Sequence, residues 1–210
     1  MSGDVADKTM PDNATIPSTT TPENTMPDRT KLGVGLFLLS EANFFLILLI
    51  TYVYFHSLPS SGPNASNSLD PMRTLVFSIC LFLSSATIHL AGRSFKLGES
   101  RAVSGWLALT VALGAIFLVG QVTEYRGLFA RGVSINTNLF GSTFFTLTGF
   151  HGLHVLIGLF ALAALLCIAM SGRVAEIKPS GFEAVSMYWH FVDAVWVVIF
   201  AAVYLWPLIA

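Results

Sequence analysis

Five long runs of apolar residues, separated by short polar stretches, organise the chain. They cover approximately 32–55, 74–92, 103–125, 138–170 and 182–207. Each reaches the roughly 20 residues that a helix needs to cross about 30 Å of hydrocarbon. Inside the runs apolar residues follow one another without the strict alternation of a membrane β-barrel strand, which excludes that fold. The pattern therefore predicts an all-α architecture, an integral membrane bundle of five transmembrane helices. The fourth run exceeds a perpendicular crossing, so its helix must tilt or protrude.

Composition sharpens this picture. The 210 residues are 54% hydrophobic and only 11% charged, where a soluble domain has roughly a quarter of its residues charged. A net charge of −1 offers no electrostatic basis for binding nucleic acid. Cys80 and Cys167 lie within apolar runs and read as packing residues, not as a disulfide or a metal pair. Residues 1–30 are rich in Thr, Pro, Asp and Asn, and such a segment cannot bury enough surface to offset its ordering entropy. They are expected to form a disordered cytoplasmic tail ahead of a membrane domain spanning 31–210. The tail lacks the basic start and short apolar core of a secretory signal.

Lys and Arg set the expected orientation. One side of the membrane would hold Lys8, Arg29, Lys31, Arg93, Lys96, Arg101, Arg173 and Lys178, and the other Arg73, Arg126 and Arg131. The excess of basic residues places the N-terminus in the cytoplasm and the C-terminus outside. Tyr52, Tyr54, Tyr125, Tyr204 and Trp206 then fall near the outer interface. The polar loop 56–73 is external, and its Asn64-Ala65-Ser66 triplet fits a glycosylation acceptor weakly. Arg93, Lys96 and Arg101 serve topology, with contact to anionic lipid head groups as the alternative.

The stretch FGSTFFTLTGFHGLHVLIG, residues 140–158, is the most informative. Gly141, Thr148, His151, Gly152 and Gly158 fall near one helical face, which is too polar and too small-sided for lipid. Small residues allow close backbone approach, and Ser, Thr and His bond across helices, so this helix should be an inner one. Gly33, Gly35, Gly105, Gly114 and Gly120 read as further close-packing positions.

Ionisable groups inside a membrane are costly and usually face the bundle interior. At ~1.5 Å per residue, Glu41 lies roughly 14 Å into the first helix, His190 a similar distance into the last, and His151 roughly 20 Å into the fourth. These three are expected to converge. A buried polar network of Glu41, His151, His154, Glu183, His190 and Asp193 follows. Within it Glu183, Ser186, His190, Asp193 and Val197 form a stripe on the last helix. Gln121, Glu124 and Tyr125 make a second polar element near the outer end of the third. Three readings compete: a metal or heme site using His89, His151, His154 and His190; a proton path through Glu41; and a structural network that holds the bundle together for a partner.

Four motifs now carry a resemblance: FLLSEANFF around Glu41, GQVTEYRG around Glu124, the fourth-helix stretch, and GFEAVSMYWHFVDAVWVVIF in the last. In order and spacing the chain resembles subunit III of the heme–copper respiratory oxidases, in the five-span form found in bacteria. The resemblance implies an accessory subunit with no catalytic, cofactor-binding or metal-ligating residues of its own. Heme and copper reside in partner subunits, which reduce dioxygen to water with four electrons and four protons and pump protons. It further implies docking on subunit I, association with subunit II, residence in the bacterial inner (plasma) membrane, and Glu41 as the family's carbodiimide-reactive carboxylate. Larger members carry two more leading helices that complete a phospholipid-holding cleft, so bound phospholipid is an open question here. Cytochrome c is the expected donor and quinol the alternative. A relative linked to nitric oxide reduction and an independent membrane heme electron carrier are the other readings.

Overall fold

The computed structural model describes residues 29–56, 69–136 and 139–209. The expected tail, except its last two residues, and the Asn64-Ala65-Ser66 triplet lie outside them. Helices α1 (Arg29–His56), α2 (Pro71–Lys96), α3 (Ser100–Ala130), α4 (Leu139–Met170) and α5 (Pro179–Phe200) account for the five apolar runs. A π-turn at Ala201–Leu205 carries α5 into a short α6 (Trp206–Ile209). Each of the five spans is long and apolar enough to cross a bilayer. No strand occurs among the described residues.

The helix ends follow local chemistry. Asp70 caps α2 by accepting from the Arg73 backbone N–H at 3.2 Å, and Pro71 occupies the first turn, where a missing N–H costs nothing. Helices α2 and α4 stop at Gly98 and Gly172, both at a φ of 73°. There the N–H of the following residue turns back to a carbonyl of the last turn, Glu99 to Ser94 at 3.0 Å and Arg173 to Ile168 at 3.2 Å. A side chain at either glycine would strain that left-handed turn. In the α4–α5 connection, Arg173 grips Glu176 through two nitrogens at 2.7 and 2.5 Å.

Short connections make neighbouring helices antiparallel, so the bundle has two ends. At one, Lys31 pairs with Glu183 at 2.7 Å and Phe95 stacks on Phe182 at 4.9 Å. At the other, Glu124 joins α3 to α2 and α5. Helix α3 packs on α2 and α4, α1 on α4 and α5, and α5 reaches α1, α2 and α4. Trp189 and Trp196, fully buried on α5, anchor the centre. Their indole N–H groups donate to the Ser84 and Ser78 hydroxyls of α2 at 2.9 and 2.8 Å. Outside this core the surface is itself apolar: Leu36, Ile47, Val119, Phe160 and Val197 all face outward.

Among the glycines, Gly114 and Gly158 are close-packing positions: a Cβ on either would sit 2.8 Å from the Trp189 ring. Gly120 likewise lies against the Phe77 ring. Gly33, Gly35 and Gly105 have open space, contrary to the sequence expectation. They occupy outward positions that helical phase alone did not separate from inward ones. Tyr52 and Tyr204 are buried, unlike Tyr54 and Trp206, which remain exposed near the same end.

Candidate functional site

The polar side chains of the spans form several separate clusters. In the middle of the bundle, Glu41 Oε2 lies 3.0 Å from His154 Nε2, joining α1 to α4. The other imidazole nitrogen, Nδ1, is 2.7 Å from the Phe150 carbonyl. A carbonyl only accepts, so Nδ1 carries a proton and the tautomer follows from the contact. Two arrangements then satisfy the remaining contact. A neutral His154 accepts from a protonated Glu41, or a charged His154 donates to the carboxylate. Tyr188 of α5 donates to the His154 backbone carbonyl at 3.0 Å, so three helices meet at this point.

His151 sits elsewhere. Its fully buried ring stacks on Trp196 at 4.8 Å and meets Phe117 and Phe45 edge-on. Neither ring nitrogen has a hydrogen-bond partner among the described residues. Nearer the Glu124 end, the Gln121 amide donates to the Thr148 carbonyl at 2.7 Å and to Tyr125 Oη at 3.2 Å. Tyr125 Oη and Thr148 Oγ1 are 2.7 Å apart. Gly152 leaves room for Gln121, since a Cβ there would lie 2.8 Å from its amide oxygen. Glu124 turns the other way, accepting from Thr74 at 2.9 Å and from Tyr204 at 2.8 Å.

On the α2–α5 side, Ser85 Oγ meets His190 Nδ1 at 3.0 Å and donates to Asp193 Oδ2. One α2 hydroxyl thus links two α5 side chains set three residues apart, both near the middle of their span. The other Asp193 oxygen has no hydrogen-bond partner among the described residues.

A model of the family described as cytochrome c oxidase subunit III matches residues 13–208. The chain belongs to that family. Similar proteins include a cytochrome c oxidase subunit 3 of Synechocystis sp., 39% identical over 181 residues, which covers 85% of this chain and 76% of the relative. Others so named come from Thermostichus vulcanus, at 33% identity, and Corynebacterium diphtheriae, at 36%, with 85% of this chain and 88% of each relative covered.

This subunit III chain does not bring Glu41, His151 and His190 together. The three meet different partners on different helix faces: Glu41 meets His154, His151 meets Trp196 and His190 meets Ser85. His154, three residues beyond His151, points to α1 and takes Glu41, while His151 points into the Trp196 slot. Glu183 also departs from the expected interior network: it lies half-buried at the bundle end, bound to Lys31. The outer trio divides as well, with Gln121 and Tyr125 facing α4 and Glu124 facing α2 and α5. Among the described residues no three His, Cys, Asp or Glu side chains share a geometry suited to one metal ion.

Sequence reasoning passed over Thr74, Ser78, Ser84 and Ser85, which supply α2's half of these contacts. A signal existed: in PMRTLVFSICLFLSS the hydroxyls recur at helical spacing within an apolar run. Polar residues so placed face protein.

Proposed function

We propose that the chain is the accessory subunit III of a bacterial heme–copper terminal oxidase, with cytochrome c as donor to the complex and no redox centre in this polypeptide. Its place is in the inner membrane, with its N-terminus in the cytoplasm. It docks on subunit I, where heme and copper reduce dioxygen to water. The observation that carries this reading is how its intramembrane polar groups are used. Glu41 engages His154, Glu124 engages Thr74 and Tyr204, Gln121 engages Thr148, and the Trp189 and Trp196 indoles engage Ser84 and Ser78. These contacts tie helix to helix, as a scaffold requires.

Within that scaffold, Glu41 and His154 can hold one proton between them at mid-membrane. We assign that pair a role in sustaining turnover of the complex. The test is Glu41→Gln in the intact oxidase complex. Turnover lifetime is expected to shorten while the initial rate of oxygen reduction stays near wild type, because the redox centres are elsewhere. If lifetime and proton stoichiometry were both unchanged, Glu41 would be structural only. The isolated chain should also be colourless, and a Soret band from heme bound to it would overturn the accessory assignment.

A further inference from the structure

Two histidines in the spans turn outward, His190 on α5 and His89 on α2. His190 lies 11 residues beyond Pro179, ~16 Å along α5, and so close to the centre of the 27-residue span Pro179–Leu205. Its ring is nevertheless exposed. Nδ1 meets Ser85 at 3.0 Å, and Nε2 makes no hydrogen bond among the described residues. His89, one turn along α2 from Ser85, is exposed too. From there both helices continue the polar strip towards the Lys31 end, α5 through Ser186 and Glu183, α2 through Arg93 and Lys96. The two rows border a cleft of about 780 Å³. Lys31 is matched there by Glu183, but Arg93 and Lys96 have no carboxylate within ion-pair distance among the described residues.

Acyl chains offer an imidazole no hydrogen bond, and a polar group left facing them is penalised. Large apolar side chains make up most of the outer surface, and exposed Asn43 on α1 turns its amide back to the Leu39 carbonyl at 2.9 Å. We infer that the α2–α5 face is an intramembrane docking surface for a membrane-spanning helix of another oxidase subunit. That helix sets a hydrogen-bonding side chain opposite His190 and an acidic group opposite Arg93 and Lys96. The proposal deepens the subunit III reading and rests on it. A protein helix is the occupant that supplies polar partners at mid-depth and a matching negative charge at the rim, and the cleft is wide enough to admit a row of its side chains.

The experiment places one photo-crosslinker, benzophenone maleimide, on the intact complex. Cys80 and Cys167 are first changed to Ala, and a single cysteine is introduced as Met187→Cys in the cleft or as Val119→Cys on the outward face of α3. Both native positions are exposed, at 37% and 61%, so neither label disturbs the core. Illumination is expected to join the Met187→Cys chain to another subunit with a yield at least tenfold above Val119→Cys. Adducts with lipid alone at Met187→Cys, or stronger subunit adducts from Val119→Cys, would overturn the assignment. In parallel, His190→Phe should cut retention of the chain in the detergent-washed complex about tenfold while Val119→Phe leaves it unchanged. Equal retention of the two would also overturn it. Heme absorbance in the affinity-purified complex separates the two levels. No heme-bearing partner sinks the subunit reading and this one together, whereas a heme-bearing complex crosslinked through α3 sinks the docking face alone.

Discussion

Glu41 and His154 show how one contact constrains chemistry. Because the Phe150 carbonyl holds the Nδ1 proton, the Glu41 side can be satisfied by a donor to Nε2. Glu41→Gln supplies such a donor and is expected to leave the thermal midpoint of the detergent-solubilised chain within a degree or two. Glu41→Leu strands the imidazole and should cost about 1–3 kcal/mol, read as a lowered midpoint. His151 presents the opposite case. Its slot is aromatic on three sides and satisfies neither nitrogen. His151→Phe keeps the ring and removes two unmet polar atoms, so equal or higher thermal stability is expected. A marked loss would mean that the histidine bonds to something this chain alone does not supply.

At the scale of helices, α5 is held by two buried tryptophans: Trp189 faces Gly114 and Gly158, Trp196 faces His151 and Phe117, and both indoles donate to serines of α2. Gly114→Ala should overpack against Trp189 and Leu159, at a cost of about 1–3 kcal/mol. Gly105→Ala meets nothing within 4 Å and gains helix propensity, so comparing the two melting curves separates packing from propensity. The motifs GQVTEYRG and GFEAVSMYWHFVDAVWVVIF were legible as helix text, and the spacing of His190 and Asp193 did place both on one strip. Which neighbour each strip meets was not legible. Gln121 and Glu124 are three residues apart, yet one bonds to α4 and the other to α2 and α5, because the ~60° between them is enough to change the facing helix.

Taken whole, the bundle sets a few polar contacts within a largely apolar core, is apolar outside and is unequal at its ends. The Lys31 end carries the basic residues Arg93, Lys96, Arg101, Arg173 and Lys178, which favours that end in the cytoplasm. A membrane-impermeant maleimide should therefore label Ser100→Cys only after cells are opened, and Ile135→Cys in intact spheroplasts. The reverse pattern would invert the topology. Lys31→Glu breaks a half-exposed pair with Glu183. Such pairs contribute about 1 kcal/mol or less, so a small drop in thermal midpoint is expected, recovered in the double variant with Glu183→Lys.

The order of residues alone determined that the chain crosses a membrane five times, because helix length against hydrocarbon thickness needs no knowledge of neighbours. The exact ends came from the structure, the second run of 74–92 extending to Pro71–Lys96, with Asp70 and Gly98 closing it locally because caps act within a turn. Motif order carried the family. Only the tertiary structure decided the pairings: Glu41 with His154 and not His151, Glu183 with Lys31, and Ser85 with both His190 and Asp193. Those depend on how far each helix is rotated about its own axis, which is set by side chains from several helices fitting together at once. A linear reading locates the runs and leaves their rotation open, and hydrogen bonds depend on that rotation.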